Sequence, residues 1–422
     1  MTTPPAPHPD SSALNRPGPT ASEPGPAPAR PELTLPGTVL GATVAVVLAA
    51  ALALVLLAVT GHAAGTSYDQ WTAELPGNLA ARARWALGDM TEPQFYKSPI
   101  AAIGLLAGAT LGWWAGRRGY RWAGRAISYG SGLWPWILGA ATLSLALSNL
   151  AFGWRLRTTW QPTFIPFVCV ATGIVLIHGR GWPVLLTGAV LGAATTTPLA
   201  MLLIATITGP LGLPLVVANT AAMSIGTTVS YLLCRVLPWM PGPAPAPTES
   251  PAPATEPGPM RPPTVVSDAV WTARRVLTDF TETQFYANEL ASLGVLAGIV
   301  IAVLADPTLP AYGTGLIPHI LLAQALTSAV GVIMWRALYR HGGWAPTYIS
   351  VVSVAPAAVI TYHGSATAIV VGALAGALLC PVIARPISAR LPADFHPFIG
   401  NTTSMAISTA IIVPLIGLLP GT

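Results

Sequence analysis

The chain has 422 residues, of which 53% are hydrophobic and only 8% are charged. A soluble globular domain carries about 25% charged residues, so this composition excludes an ordinary water-exposed surface and indicates a protein whose solvent is the bilayer. The net charge is +5, but no basic patch is interleaved with aromatic residues, so nucleic-acid binding is not expected.

Two proline-rich segments frame the apolar sequence. Residues 1–36 and residues 238–263 lack apolar periodicity, which predicts a disordered tail and an extended linker. The first apolar run begins at Gly37. The run is too long to be the apolar region of a cleavable signal peptide, so we expect a first transmembrane helix over 37–61.

Ten further apolar runs follow, and most approach the ~20 residues needed to cross a membrane. The backbone must satisfy its own hydrogen bonds there, so each run should be a helix. The predicted fold is an all-α integral membrane protein with about eleven transmembrane helices. The ten runs lie near 99–115, 132–153, 163–178, 183–207, 213–236, 288–305, 315–336, 346–362, 366–384 and 397–418.

The sequence contains an internal duplication. Residues 87–96 match residues 277–286 at seven of ten positions, and residues 129–138 match residues 312–321 at seven of ten. Further polar and small residues match in the same order, which chance similarity of apolar sequence would not produce. These matches are Trp160 with Trp344, His178 with His363, Gly188 with Gly372, Gly192 with Gly376, Asn219 with Asn401 and Met223 with Met405.

Each copy holds five apolar runs, the first copy over 78–237 and the second over 268–420. Five is odd, so the second copy should enter the membrane from the opposite side, as in the inverted repeats of many transporters. This five-plus-five layout is similar to that of urea channels, ammonium channels and several sodium-coupled carriers. The likeness is one of architecture.

The arginines test the predicted orientation. If the N-terminus is cytoplasmic and the runs alternate, fifteen cationic residues fall inside and five outside, as the positive-inside rule requires. We therefore expect a multi-pass plasma-membrane protein with an external C-terminus. Abundant Ala, Pro and Arg with one Lys is typical of a GC-rich bacterial genome.

Charged segments precede each copy, at residues 78–97 and 268–287. They share an Asp-x-Thr-Glu pattern and carry tryptophan, which predicts short interfacial helices. Asp89 and Asp279 could act chemically, although capping or anchoring a helix is the simpler expectation.

No catalytic signature and no metal-ligand spacing occur, so neither an enzyme nor a metal or cofactor site is expected. All carboxylates lie in tails, loops or the ends of apolar runs, as Glu289 and Asp306 do, which argues against a proton-coupled carrier.

The best site candidates are polar residues and helix breakers at matched places in the two copies. An Asn in hydrocarbon must find a partner helix, water or solute, so it either locks helices or lines a path. Short spans that contain proline in both halves also indicate a central site. His319 and Gln324 occur in one copy only. The candidates are Asn219, Thr220, Asn401, Thr402, His319, Gln324, His178, His363, Pro166 and Pro356.

These features predict a transporter or channel for a small, neutral or weakly polar solute, with its path between the inverted copies. An alternative is a non-transporting membrane scaffold that binds a cytoplasmic partner through the proline-rich segments. A weaker alternative is an enzyme acting on a lipid-linked substrate. Deleting the proline-rich segments should leave flux largely intact but abolish partner binding by a scaffold.

Overall fold

The computed structural model describes residues 33–60, 67–155, 162–243, 264–342 and 344–422, so most of the proline-rich tail and linker lies outside the described residues. Within these ranges the chain is helical and contains no strand. Eight helices there are long and apolar enough to cross a membrane, and three shorter apolar segments accompany them. This is the composition of a helical membrane protein.

The helices follow the predicted runs closely. They are α1 Leu35–Thr60, α2 Ser67–Glu74, α3 Leu79–Asp89, α4 Pro99–Arg117, α5 Trp134–Phe152, α6 Val170–His178, α7 Trp182–Leu203, α8 Leu215–Val236, α9 Val265–Asp279, α10 Glu289–Ala305, α11 Ile317–Met334, α12 Tyr348–Val351, α13 Val354–Thr361, α14 Ala366–Ser388 and α15 Phe398–Ile416. Helix α2 was not predicted, and the run at 183–207 ends in a π-helical turn, Ile204–Thr208.

The first apolar helices of the two copies, α4 and α10, cross each other at glycine residues. A methyl group on Gly104 would overlap the carbonyl oxygen of Gly294, and one on Gly294 would overlap that of Gly104. Gly108 lies against the backbone of Leu290. Numbers rise along one helix as they fall along the other, so the two equivalent helices run antiparallel. Without a Cβ, their backbones can approach closely.

The last helix of each copy, α8 and α15, shows the same relation. The hydroxyls of Ser224 and Thr403 lie 2.5 Å apart. In the last turn of α8, Arg235 forms an ion pair with Asp394, which precedes the start of α15, at 2.7 Å. The equivalent closing helices therefore also run antiparallel.

Backbone hydrogen bonds join the two copies reciprocally. The amide of Ser128 in copy one donates to the carbonyl of Tyr286 in copy two, at 3.1 Å. The amide of Ala311, equivalent to Ser128, donates to the carbonyl of Tyr96, equivalent to Tyr286, at 2.8 Å. Such an exchange of the same pair of partners is the signature of a twofold relation between two units.

The third apolar run of each copy is broken, although the sequence predicted one helix in each. In copy one a 3-10 segment, Pro162–Val168, precedes α6, and Cys169 between them has φ −143° and ψ −100°. In copy two Ser353 separates α12 from α13 with φ −141° and ψ −88°. Equivalent residues thus interrupt both runs with nearly the same backbone conformation.

Helix α1 precedes both copies and packs on the second. Gly41 lies against the backbone of Ala269 in α9. The amide and the hydroxyl of Thr34 both donate to Asp268, each at 2.7 Å. The opposite face of α1 is apolar and exposed, as expected for contact with lipid, for example at Leu48 and Leu54.

Candidate functional site

A small cavity of about 20 Å³ lies where the two copies meet. A space of this size accepts one or two water-sized groups. Its walls come from the buried turns after α3 and α9, from the 3-10 segment, and from the closing helices. The lining residues are Glu92, Pro93, Phe95, Phe164, Val216, Asn219, Thr220 and Met223 of copy one, with Thr283, Val352 and Met405 of copy two.

The turns that wall the cavity have the same strained backbone in both copies. Phe95 and Phe285 adopt left-handed conformations with φ 66° and 63°. Two residues later, Lys97 and Ala287 do so again with φ 45° and 46°. Residues other than glycine adopt this conformation only where the surrounding structure holds them, so the turns are rigid walls.

In copy one the turn buries two carboxylates and one cation. Asp89, Glu92 and Lys97 are fully buried. The Lys97 ammonium contacts Asp89 directly and lies 3.3 Å from Glu92. It also sits 3.6 Å from the centre of the Trp85 ring, which adds a cation–π contact. Buried charges persist only when paired in this way.

Copy two buries the equivalent carboxylates but supplies the cation from another position. Arg275 bonds Asp279 at 2.8 Å and Glu282 at 2.6 Å. Arg275 stands where copy one has Trp85, and Ala287 stands where copy one has Lys97. The cluster around Lys97 and the cluster around Arg275 therefore each hold two buried carboxylates against a single positive charge.

Burial changes the pKa of one carboxyl group in each cluster. Burial raises the pKa of Glu92 to about 7, and the Lys97 charge opposes that shift. Burial likewise raises the pKa of Asp279, and the Arg275 charge opposes that shift. Both residues lie before the candidate spans of their copies, in the turn after α3 and at the end of α9.

Of the two roles expected for Asp89 and Asp279, capping a helix is wrong, whereas their contacts are those of residues that anchor a helix end. Asn78 and Thr264 cap α3 and α9. Asp89 instead accepts hydrogen bonds from interior groups, including the hydroxyl of Thr163 at 2.9 Å. The charged segments begin at the surface but end inside the protein, because their carboxylates find buried partners.

A hydrogen-bond network ties the two turns together. The side-chain amides of Gln94 and Gln284 bond each other reciprocally, both at 2.9 Å. Gln324 accepts from the hydroxyl of Tyr96 at 2.8 Å and donates to the carbonyl of Val351 at 2.9 Å. Gln324 was predicted as a pathway residue, but the structure places it in this network rather than on the cavity wall.

The paired asparagines have different surroundings. Asn401 donates to the hydroxyl of Tyr348 at 3.1 Å. Copy one has Phe164 in the position equivalent to Tyr348, so this hydroxyl is missing there. Asn219 is 1% exposed, and its Oδ1 has no hydrogen-bond partner among the described residues. The missing hydroxyl deprives the Asn219 amide nitrogen of the acceptor that Asn401 has in copy two. Independently of that difference, the Asn219 Oδ1 is a buried acceptor without a partner at the cavity.

Among the other predicted candidates, Thr220 also lines the cavity. The hydroxyl of Thr220 donates to the carbonyl of Val216 in its own helix, at 2.7 Å. The hydroxyl of Thr402 likewise donates to Ile399, at 3.1 Å. Because each hydroxyl proton is already donated to a backbone carbonyl, these threonines can only accept a hydrogen bond from a solute.

The histidines and prolines are more dispersed. His178 lies 2.8 Å from the carbonyl of Pro241, and His363 is exposed. His319 is partly buried, and its Nδ1 has no partner among the described residues. Pro166 and Pro356 each lie three residues from the helix break rather than at it, one before Cys169 and the other after Ser353.

Sequence reasoning missed Glu92, Phe95 and Phe164 as site residues. The repeated Thr-Glu at 91–92 and 281–282 was a usable signal, because a duplicated charge next to apolar sequence requires a buried partner. Phe164 could have been found by aligning it with Tyr348.

The described residues hold no group of three or more His, Cys, Asp or Glu that could bind a metal ion. No protein-family model and no curated protein matches the sequence.

Proposed function

We propose that this protein is a membrane transporter or channel for a small, neutral or weakly polar solute, whose path runs through the cavity between two inverted five-helix copies. The observation that carries the proposal is the buried, unpartnered Oδ1 of Asn219 at that cavity. An unsatisfied buried acceptor costs about 1–3 kcal/mol, which a passing hydrogen-bond donor would recover.

The size and polarity of the cavity support the class of solute. A space of about 20 Å³ accommodates a molecule of only a few heavy atoms unless the walls move. Phe95, Phe164 and Met223 make its walls largely apolar, while Asn219 and Glu92 supply a few polar groups. Binding sites for small molecules commonly have this composition.

The antiparallel pairing of equivalent helices supports the inverted arrangement. If all eleven apolar segments cross or enter the bilayer, two antiparallel copies of five place the cavity at their common axis. Broken helices at equivalent places in both halves are typical of transporter sites near the middle of the membrane. We accordingly propose a plasma-membrane location with a cytoplasmic N-terminus.

Flux into proteoliposomes tests the proposal, with water, glycerol, urea and acetamide as probes of graded size. Asn219→Leu should reduce the flux of the transported probe roughly tenfold, because the solute loses one hydrogen bond of about 1.4 kcal/mol. The same change should not destabilise the protein, since it removes an unsatisfied group.

Asn401→Leu is the matched control. It breaks a satisfied hydrogen bond, so it should lower stability by about 1–3 kcal/mol while the remaining folded protein keeps its flux. Absence of flux for every probe, or equal flux in wild type and Asn219→Leu, would contradict the proposed path.

A further inference from the structure

The end of α4 and the turn after it form a positively charged surface. Arg117, Arg118 and Arg121 are exposed, and none forms an ion pair with any residue that the structure describes. Arg125, at the end of the turn, is by contrast paired with Glu289. Three arginine charges thus remain unbalanced on this surface.

Aromatic rings stand among these arginines. The ring of Tyr120 lies 5.5 Å from that of Trp114 and stacks on that of Trp122 at 5.4 Å. The guanidinium of Arg118 lies 5.5 Å from the centre of the Trp114 ring. Exposed Trp and Tyr next to Arg at the end of an apolar helix are typical of the headgroup layer of a membrane.

A shallow, open apolar groove, lined by α4 alone, runs along that helix to the same place. It begins near Ile103, which is 58% exposed, and it ends at Trp113 and Trp114 beside the arginines. Its remaining lining residues are Leu106, Ala107, Thr110 and Leu111. A shallow apolar groove that ends at a cationic patch matches a molecule with an acyl chain and an anionic head.

We propose that this surface is a binding site for an anionic phospholipid, with an acyl chain in the groove and the phosphate against Arg117, Arg118 and Arg121. Two independent features support it, the unbalanced charge and the groove. The equivalent loop of copy two, residues 306–310, has no cation, so the site is a property of copy one alone. Anionic headgroups are attracted to such basic clusters beside a membrane helix.

Native mass spectrometry of the full chain, released from mixed phosphatidylglycerol and phosphatidylcholine nanodiscs, tests the proposal. Wild type should retain phosphatidylglycerol in preference to phosphatidylcholine. Replacing the three arginines with Gln should reduce phosphatidylglycerol retention about tenfold or more. A control that removes three exposed arginines elsewhere should leave retention unchanged: Arg180→Gln, Arg385→Gln and Arg390→Gln.

Ala107→Trp tests the groove separately, because it places a large side chain in the middle of the groove and keeps every arginine. It should reduce retention of the diacyl lipid to a similar extent. Equal loss in the arginine control, or full retention in either test variant, would overturn the proposal. So would a change of oligomeric mass in Ala107→Trp without loss of lipid, since the groove would then hold a second copy of the chain.

Discussion

Phe164→Tyr would give copy one the hydroxyl that copy two already has. In copy two, the Tyr348 hydroxyl accepts a hydrogen bond from Asn401 at 3.1 Å. Phe164 is the equivalent residue and lines the cavity together with Asn219. The added hydroxyl should therefore reach the Asn219 side chain and occupy part of the space that a solute would use.

The expected magnitudes follow from one hydrogen bond. A typical intramolecular hydrogen bond contributes about 0.5–1.5 kcal/mol net, so we expect about 1 kcal/mol of stabilisation. A solute that must now compete with the tyrosine for Asn219 loses a similar amount. Since 1.4 kcal/mol is a factor of ten, flux should fall roughly tenfold.

Thermal unfolding in detergent and proteoliposome flux would be measured on the same preparations, with Tyr348→Phe as the reverse change. That control should lose about 1 kcal/mol of stability and keep its flux. If Phe164→Tyr is more stable but transports normally, Asn219 is not on the path. If its stability does not rise, the hydroxyl does not reach Asn219 and the reasoning fails.

Three further predictions concern packing, charge and topology. Gly104→Ala should lower the free energy of unfolding by about 1–3 kcal/mol, because its methyl group meets backbone. Gly116→Ala in the same helix meets nothing within 4 Å and should be neutral or stabilising; equal stability of the two variants would contradict the close crossing. Lys97→Met should cost about 3–5 kcal/mol because two buried carboxylates lose their cation, and an unchanged unfolding temperature would argue against the buried pair. Cysteines at the exposed, equivalent positions Ser131 and Thr314 should react with a membrane-impermeant maleimide from opposite faces, and reaction from one face would refute inversion.

Most of the helices could be predicted from the sequence because each depends only on the length and polarity of its own segment. An apolar run long enough to cross a bilayer must form a helix, whatever its neighbours are. The antiparallel arrangement of α4 and α10 agrees with the arithmetic of five runs per copy. The breaks at Cys169 and Ser353 could not be located, because they depend on what packs around them rather than on the nearby prolines.

The site was predicted only in part, for a different physical reason. Asn219 and Thr220 could be predicted because a polar side chain within an apolar run needs a hydrogen-bond partner. Glu92 was missed because its turn is rich in polar residues and resembles a surface segment. Nothing local reveals that the turn inserts between the copies, since its burial is produced by partners such as Lys97 and by the distant second copy.

The exchanged positions of the buried cations constrain how the two halves diverged. If the two copies began identical, either one copy moved its positive charge between these two sites, or both sites once carried a cation and each copy lost a different one; the present pairs are Trp85 with Lys97 and Arg275 with Ala287. If a copy lost its original cation before it gained another, two buried carboxylates would have no cation. If it gained the second cation first, the intermediate protein would hold two buried charges of each sign. The tolerated evolutionary order is therefore gain before loss, and Trp85→Arg should fold where Lys97→Ala does not.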